Sequence, residues 1–204
     1  MGKNIKSNLN MNNYPTGQQL VLVHYHHDIL RRPLKPVPNP LDPEIQAIIA
    51  DMKYSIDLPQ LKKPAAGMAA NQWGIDWQIF LYCPAGSENP RNVEVILNPS
   101  YKPLTDEEEV AYEGCFSIPN AIQKVSRYKK IEVKYQDPKS NWITRILYGW
   151  EARVWQHEND HLMGILCDSK GERTLEKINF ENDAAEDAFF EDVRAKRKQS
   201  KERE

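Results

Sequence analysis

The chain has 204 residues, 40% of them apolar and 27% charged, with a formal net charge of −2. That length suits one domain able to bury roughly 70% of its unfolded surface, so it can fold without disulfide or metal staples. The near-neutral balance gives no global field for nucleic acid or an anionic membrane, and no apolar run approaches the ~18 residues that span a bilayer.

Residues 1–19 read as a polar arm rich in Asn and Lys, without the apolar stretch of a secretion signal. Asp42-Pro43-Glu44 is a helix start: a capping carboxylate, a proline at the first helical position and an acid in the first turn. Ile45, Ile48, Ile49, Met52 and Ile56 follow at helical spacing, predicting a helix to about Asp57. Residues 58–64 read as loop. Gln78–Cys83, Asn92–Leu97, Lys130–Tyr135 and Ile143–Tyr148 read as strands, and the acidic run Asp106–Glu109 as a solvated loop. A second helix is predicted from Gly149 to about Met163, with Gly164 placed to end it. From Glu172 onward charge dominates over a thin apolar stripe, and six of the last eleven residues are basic. This order predicts an α+β domain with a mostly antiparallel sheet, an N-terminal helix and a charged C-terminal helix. The domain spans 20–170 and the tail 171–204. Cys83, Cys115 and Cys167 form too sparse a set for a disulfide framework, which points to a reducing, cytoplasmic setting.

His157-Glu158-Asn159-Asp160-His161 is the strongest chemical signal. Histidines at i and i+4 lie one turn apart on one helix face and can converge on one divalent metal ion. Glu158 beside them can take a proton from a water that the ion activates. The bland alternative is an exposed polar helix, but Trp150, Val154 and Trp155 require part of this helix to be buried. A catalytic site needs a third protein ligand and an open position. Cys167 follows His161 at the spacing of the third ligand in long zincin patterns, whereas Cys115 lies far upstream in Glu113-Gly114-Cys115-Phe116-Ser117. Either thiolate could ligate. The polar neighbours Glu113 and Ser117, and the slim Gly114, favour Cys115.

Three stretches resemble the peptide deformylase family. Glu113–Ser117 is similar to its EGCLS motif, Gln156–His161 to its QHExDH motif, and Ala65–Gln72 to its first, glycine-led motif. They occur in the family's order over about residues 20–170, and Leu30-Arg31 is similar to an early loop pair. The resemblance implies a sheet packed around a central metal-binding helix, with Cys115, His157 and His161 as ligands and Cys167 as packing. It implies Fe²⁺ as the cellular ion, although Zn²⁺, Ni²⁺ or Co²⁺ would also suit the donors. The implied activity is removal of the N-formyl group from the N-terminal methionine of newly made polypeptides, releasing formate.

In that role Glu158 is the general base, and the Gln72 amide and the Phe116 backbone N–H serve the developing oxyanion. Substrate would lie along Ala66 and Gly67, in a pocket drawing on Ala111, Glu113, Trp150, Val154 and the flat of His157. Arg153 and Asp160 are expected to pair and fix the helix. The tail resembles the C-terminal extension that some members use at the ribosome, so the expected partners are a formylated nascent chain and, through the tail, the ribosome, with neither membrane nor specific DNA. Ala65 stands where the motif begins with glycine, Phe116 replaces a leucine, and Ile122 stands where many bacterial members carry arginine. These departures keep open a specialised paralogue acting on another formylated or acylated amine. A zinc endopeptidase using Cys167, or a non-catalytic module, are the competing classes.

Overall fold

The computed structural model describes residues 17–23, 25–56, 65–84, 93–169, 174–189 and 191–192. Helix α1 is Pro43–Ser55, and the Asp42 carboxylate accepts the Glu44 N–H at 2.9 Å. It ends at Ser55, whose hydroxyl accepts the Leu20 N–H at 2.8 Å and so straps the N-terminal segment onto the helix.

Five strands form one antiparallel sheet in the order β1 (Gly67–Ala69), β2 (Ile79–Tyr82), β3 (Glu94–Pro103), β6 (Lys130–Gln136), β7 (Trp142–Tyr148). All four residues of β2 are buried, because its alternating side chains serve two cores. Ile79 and Leu81 join α1 residues Ile45, Ile49 and Met52 on one face; Phe80 and Tyr82 join α2 (Gly149–Leu162) on the other. Trp155 of α2 anchors that second core, edge-on to Phe80 at 5.0 Å and to Tyr135 at 5.1 Å.

A second antiparallel sheet, β4 (Glu108–Cys115), β5 (Ile118–Tyr128) and β8 (Thr174–Asn179), contributes Cys115, Ile118, Ala121 and Val125 to the same core as α2. The mostly antiparallel α+β expectation holds. Two local readings do not. Glu108 and Glu109 open β4 instead of a loop, because the ladder to Tyr128 and Arg127 overrides their polarity. Thr174–Asn179, read as helical tail, forms β8, because the open edge of β5 offers it a ladder from Ala121 to Val125. Residues 183–189 are helical, and residues 193–204, with the basic cluster, lie outside the described residues.

α2 ends as its sequence predicts. Gly164 takes φ +72°, the Gly164 N–H donates to His161 O at 3.1 Å, and the Ile165 N–H donates to Asp160 O at 2.9 Å, the paired bonds of a Schellman cap. A Cβ on Gly164 would lie 2.4 Å from the backbone nitrogen of Arg32. Gly164→Ala should therefore combine a left-handed penalty of ~1 kcal/mol with an overpacking cost of ~1–3 kcal/mol. We expect a loss of about 2–4 kcal/mol in urea unfolding; an unchanged midpoint would refute this packing.

Candidate metal centre

α2 carries His157 and His161 one turn apart, and their rings lie edge to face with centroids 5.0 Å apart. The third donor comes from the end of β4. The β4–β5 register shifts between Gly114, opposite Ile122, and Cys115, opposite Ile118. The extra residues on β5 include Asn120 at φ +56°, and such a bulge re-aims the partner strand's side chains. Cys115 Sγ thereby lies 3.3 Å from His161 Nε2. Ligand atoms of Cys115, His157 and His161 all lie within 4.8 Å of one another.

Charges packed behind this trio set its geometry. His157 Nδ1 and Glu113 Oε2 are 2.9 Å apart, which fixes the ring and leaves Nε2 for the centre. Glu113 is 7% exposed and receives Arg127 Nε at 2.9 Å, Arg127 Nη2 at 2.7 Å and Arg153 Nη1 at 2.7 Å. The other arm of Arg127 holds Asp160 on α2. Although burial opposes ionisation, Arg127 and His157 hold the Glu113 carboxyl well below the usual carboxylate range. The expected Arg153–Asp160 pair does not form. Seven helical positions separate these residues by ~10 Å of rise, so each turns to the second sheet: Arg153 to Glu113 and the Val125 carbonyl, Asp160 to Arg127.

Gln72 sits in a short turn after β1. Its Oε1 accepts the Ala69 N–H at 2.9 Å, while Nε2 donates to Ser117 Oγ at 3.2 Å and to Cys115 Sγ at 3.7 Å. The amide donor thus faces the cysteine. Phe116 lies in the β4–β5 turn beside Cys115, its ring packed on the α1-side core. Glu158 is 4% exposed, its Oε2 has no partner among the described residues, and burial pushes its carboxyl up from the usual range. A Cβ on Gly67 would meet Glu158 Cγ and Oε1 at 2.7 Å, so glycine here is what lets the strand approach this carboxylate. Gly67→Ala should displace the carboxylate and cut kcat/KM roughly a hundredfold, the effect of a ~1 Å misplacement. A near-normal kcat/KM would show that this close approach is dispensable.

Gly67 also belongs to an open edge. Among the described residues β1 pairs only with β2, and the Cys83 N–H donates to Ala66 O at 2.8 Å. In the antiparallel alternation Ala66 and Met68 then face β2, while Gly67 and Ala69 turn their backbone groups outward. Of the two expected substrate-contacting backbones, Gly67 is the available one. Both Glu113 oxygens are taken by arginines and His157. Val154 (4% exposed) is core, Ala111 is buried on β4, and Trp150 at the start of α2 is half exposed. Cys167 donates to Gln123 Oε1 at 2.8 Å and stands outside the donor trio. The neighbouring Cys167 and the nearby imidazoles hold the Cys115 thiol well below the usual thiol range against the effect of burial. Arg127 has no counterpart in the sequence reading. Only the alternation of β5, which turns Gln123, Val125 and Arg127 inward together, reveals it.

The family model for polypeptide deformylase matches residues 20–174, three quarters of the chain. The chain belongs to the polypeptide deformylase family. Among its relatives in that family, peptide deformylase 2 of Ralstonia nicotianae is 38% identical over 144 residues, covering 67% of this chain and 78% of the relative. The peptide deformylase of Thermotoga petrophila is 35% identical over 141 residues, covering 68% and 78%. The crystal structure of peptide deformylase from Thermotoga maritima superposes with a TM-score of 0.64 at 31% identity, covering 73% of this chain and 95% of that one. The Synechococcus elongatus enzyme in complex with actinonin gives 0.65 at 31% identity, covering 78% and 85%. The donor trio fits the divalent ion of this metal-dependent family. Bonds of ~2.3 Å to sulfur and ~2.0 Å to nitrogen at tetrahedral angles put such donors roughly 3.5 Å apart, and the 3.3 Å from Cys115 to His161 is close to that edge.

Proposed function

We propose that this deformylase hydrolyses the N-formyl group of the N-terminal methionine of newly made polypeptides, giving formate and a free amine, with Cys115, His157 and His161 holding one divalent ion. The carrying observation is the convergence of these three donors beside a buried carboxylate that has one oxygen without a partner. When bound, the ion supplies Lewis acidity and makes water a competent nucleophile near neutral pH. We assign Fe²⁺ on the family resemblance, and the thiolate–imidazole set also suits Zn²⁺, Ni²⁺ or Co²⁺.

The chain's own residues do the rest. Glu158 takes the proton of the attacking water and returns it to the leaving nitrogen. Its environment suits both duties, because burial raises its affinity for a proton. Gln72 Nε2 and the Phe116 N–H serve as donors to the oxygen on which negative charge develops. The peptide extends along the outward groups of Gly67 as an added strand, with its methionine side chain towards Ala111, Trp150 and the His157 ring.

Formate release from formyl-Met-Ala-Ser by anaerobically purified protein tests the reaction. Turnover with the formyl peptide and none with its N-acetyl counterpart is expected. The reverse preference would establish a specialised paralogue, and absence of formate release with every divalent metal tried would remove deformylase activity from the account. Three unbonded cysteines and a newly made substrate support action in the cytoplasm. Among the described residues no helix is long and apolar enough to cross a membrane.

A further inference from the structure

Strand β7 buries one face and exposes the other, and the exposed face has an unusual composition. Leu147 is buried and Ile143 packs on the core, whereas Trp142 (57% exposed), Ile146 (48%) and Tyr148 (57%) alternate with Thr144 towards solvent. The outward positions of a half-buried strand are ordinarily polar. Of ten exposed large apolar side chains among the described residues, three stand on this one strand face, which makes them a patch and not scatter.

The register continues the surface across the sheet. Gln136 lies opposite Trp142, Lys134 opposite Thr144, Glu132 opposite Ile146 and Lys130 opposite Tyr148, with Ser100 and Lys102 of β3 beyond. Lys134 Nζ lies 4.9 Å from the Trp142 ring centroid, and Lys130 Nζ lies 5.3 Å from that of Tyr148. Of the acids on or beside this face, Glu132 is paired with Lys102 at 2.8 Å, and Asp137 in the β6–β7 turn accepts the Lys139 and Asn141 backbone N–H groups at 2.8 and 2.9 Å. Lys139, in the β6–β7 turn, is exposed beside the Trp142 end.

We propose that this face is a docking surface for single-stranded RNA, with bases stacked on Trp142 and Tyr148 and phosphates met by Lys130, Lys134 and Lys102. Charge complementarity selects this occupant. The face carries an excess of cations, so a second copy meeting it face to face would be repelled, while an anionic chain is attracted. Two aromatic–ammonium pairs stand at the ends of the strand, about 20 Å apart at ~3.3 Å per residue. Each combines an exposed aromatic ring with a phosphate-binding cation held over it, the pairing of stacking group and charge by which sheet faces hold unpaired bases. Thr144, Ser100 and Gln136 supply hydroxyl and amide groups between them. The surface is independent of the deformylase chemistry and uses none of its residues.

The test is fluorescence anisotropy of a labelled oligouridylate with the full-length, metal-loaded protein, across a salt series. Saturable binding that weakens with salt is expected. Trp142→Ala should weaken it roughly tenfold, in line with the loss of one stacked base, and Trp142→Phe should restore most of it. Lys134→Glu should weaken binding and flatten the salt dependence by about one phosphate contact. Formate release should stay unchanged in all three variants. The proposal is overturned by absence of saturable binding, or by binding insensitive to Trp142→Ala and Lys134→Glu, which would assign it to the basic C-terminal residues. It is equally overturned if Trp142→Ala abolishes sedimentation with phosphatidylserine vesicles or a concentration-dependent dimer while leaving RNA binding intact.

Discussion

Glu158→Gln protein is expected to keep its metal and lose turnover by roughly a hundred- to ten-thousandfold, the usual contribution of a positioned general base. The substitution preserves size and leaves a neutral amide where burial already disfavours the carboxylate's charge. Fold and stability should therefore survive. Oε2 has no partner among the described residues, so replacing it removes no hydrogen bond seen there, and the deficit should reside in the chemical step. Metal analysis and formate release on the same sample separate the two effects. Near-normal kcat with full metal content would show that another group moves the proton.

Arg127→Met should be the most destabilising single change near the site. Arg127 is 1% exposed and spans β5 to both Glu113 on β4 and Asp160 on α2. Removing one partner from a buried ion network leaves the others uncompensated, at a cost of ~3–5 kcal/mol. Arg153 would still neutralise part of Glu113 through its 2.7 Å contact, whereas Asp160 would lose the ion pair that ties it to the second sheet. Because Glu113 orients His157, metal affinity should also fall, by roughly ten- to a hundredfold as for other changes behind a metal ligand. Urea unfolding of the metal-free protein measures the first effect and metal titration the second. A stability loss under about 1 kcal/mol would mean that Arg127 does not hold β5 to α2.

The parts of this molecule legible in its sequence are those encoded locally. The Asp42-Pro43 start of α1 and the Gly164 end of α2 depend on contacts within a few residues. The placement of His157 and His161 one turn apart on one face follows from helical spacing alone. Pairing across distance was not legible. The β4–β5 hairpin hides behind Glu108, Glu109 and Pro119, residue types depleted in strands, because the ladder is secured by partner strands instead of by propensity. The alternation that turns Arg127 inward is hidden with the hairpin, and with it the partners of Arg153 and Asp160, each of which reaches the second sheet. The bulge that aims Cys115 has no sequence signature beyond the small residue Gly114. Spacing left Cys115 and Cys167 equal, and the resemblance favoured the first. Geometry groups Cys115 with the histidines and gives Cys167 a bond to Gln123.

Metal content per chain in anaerobically prepared Cys115→Ser and Cys167→Ser proteins, measured beside the unsubstituted protein by plasma mass spectrometry, tests the centre most directly. The account predicts that the unsubstituted and Cys167→Ser proteins each carry a single ion per chain and that Cys115→Ser carries little or none. Full occupancy in Cys115→Ser, with loss in Cys167→Ser, would contradict it.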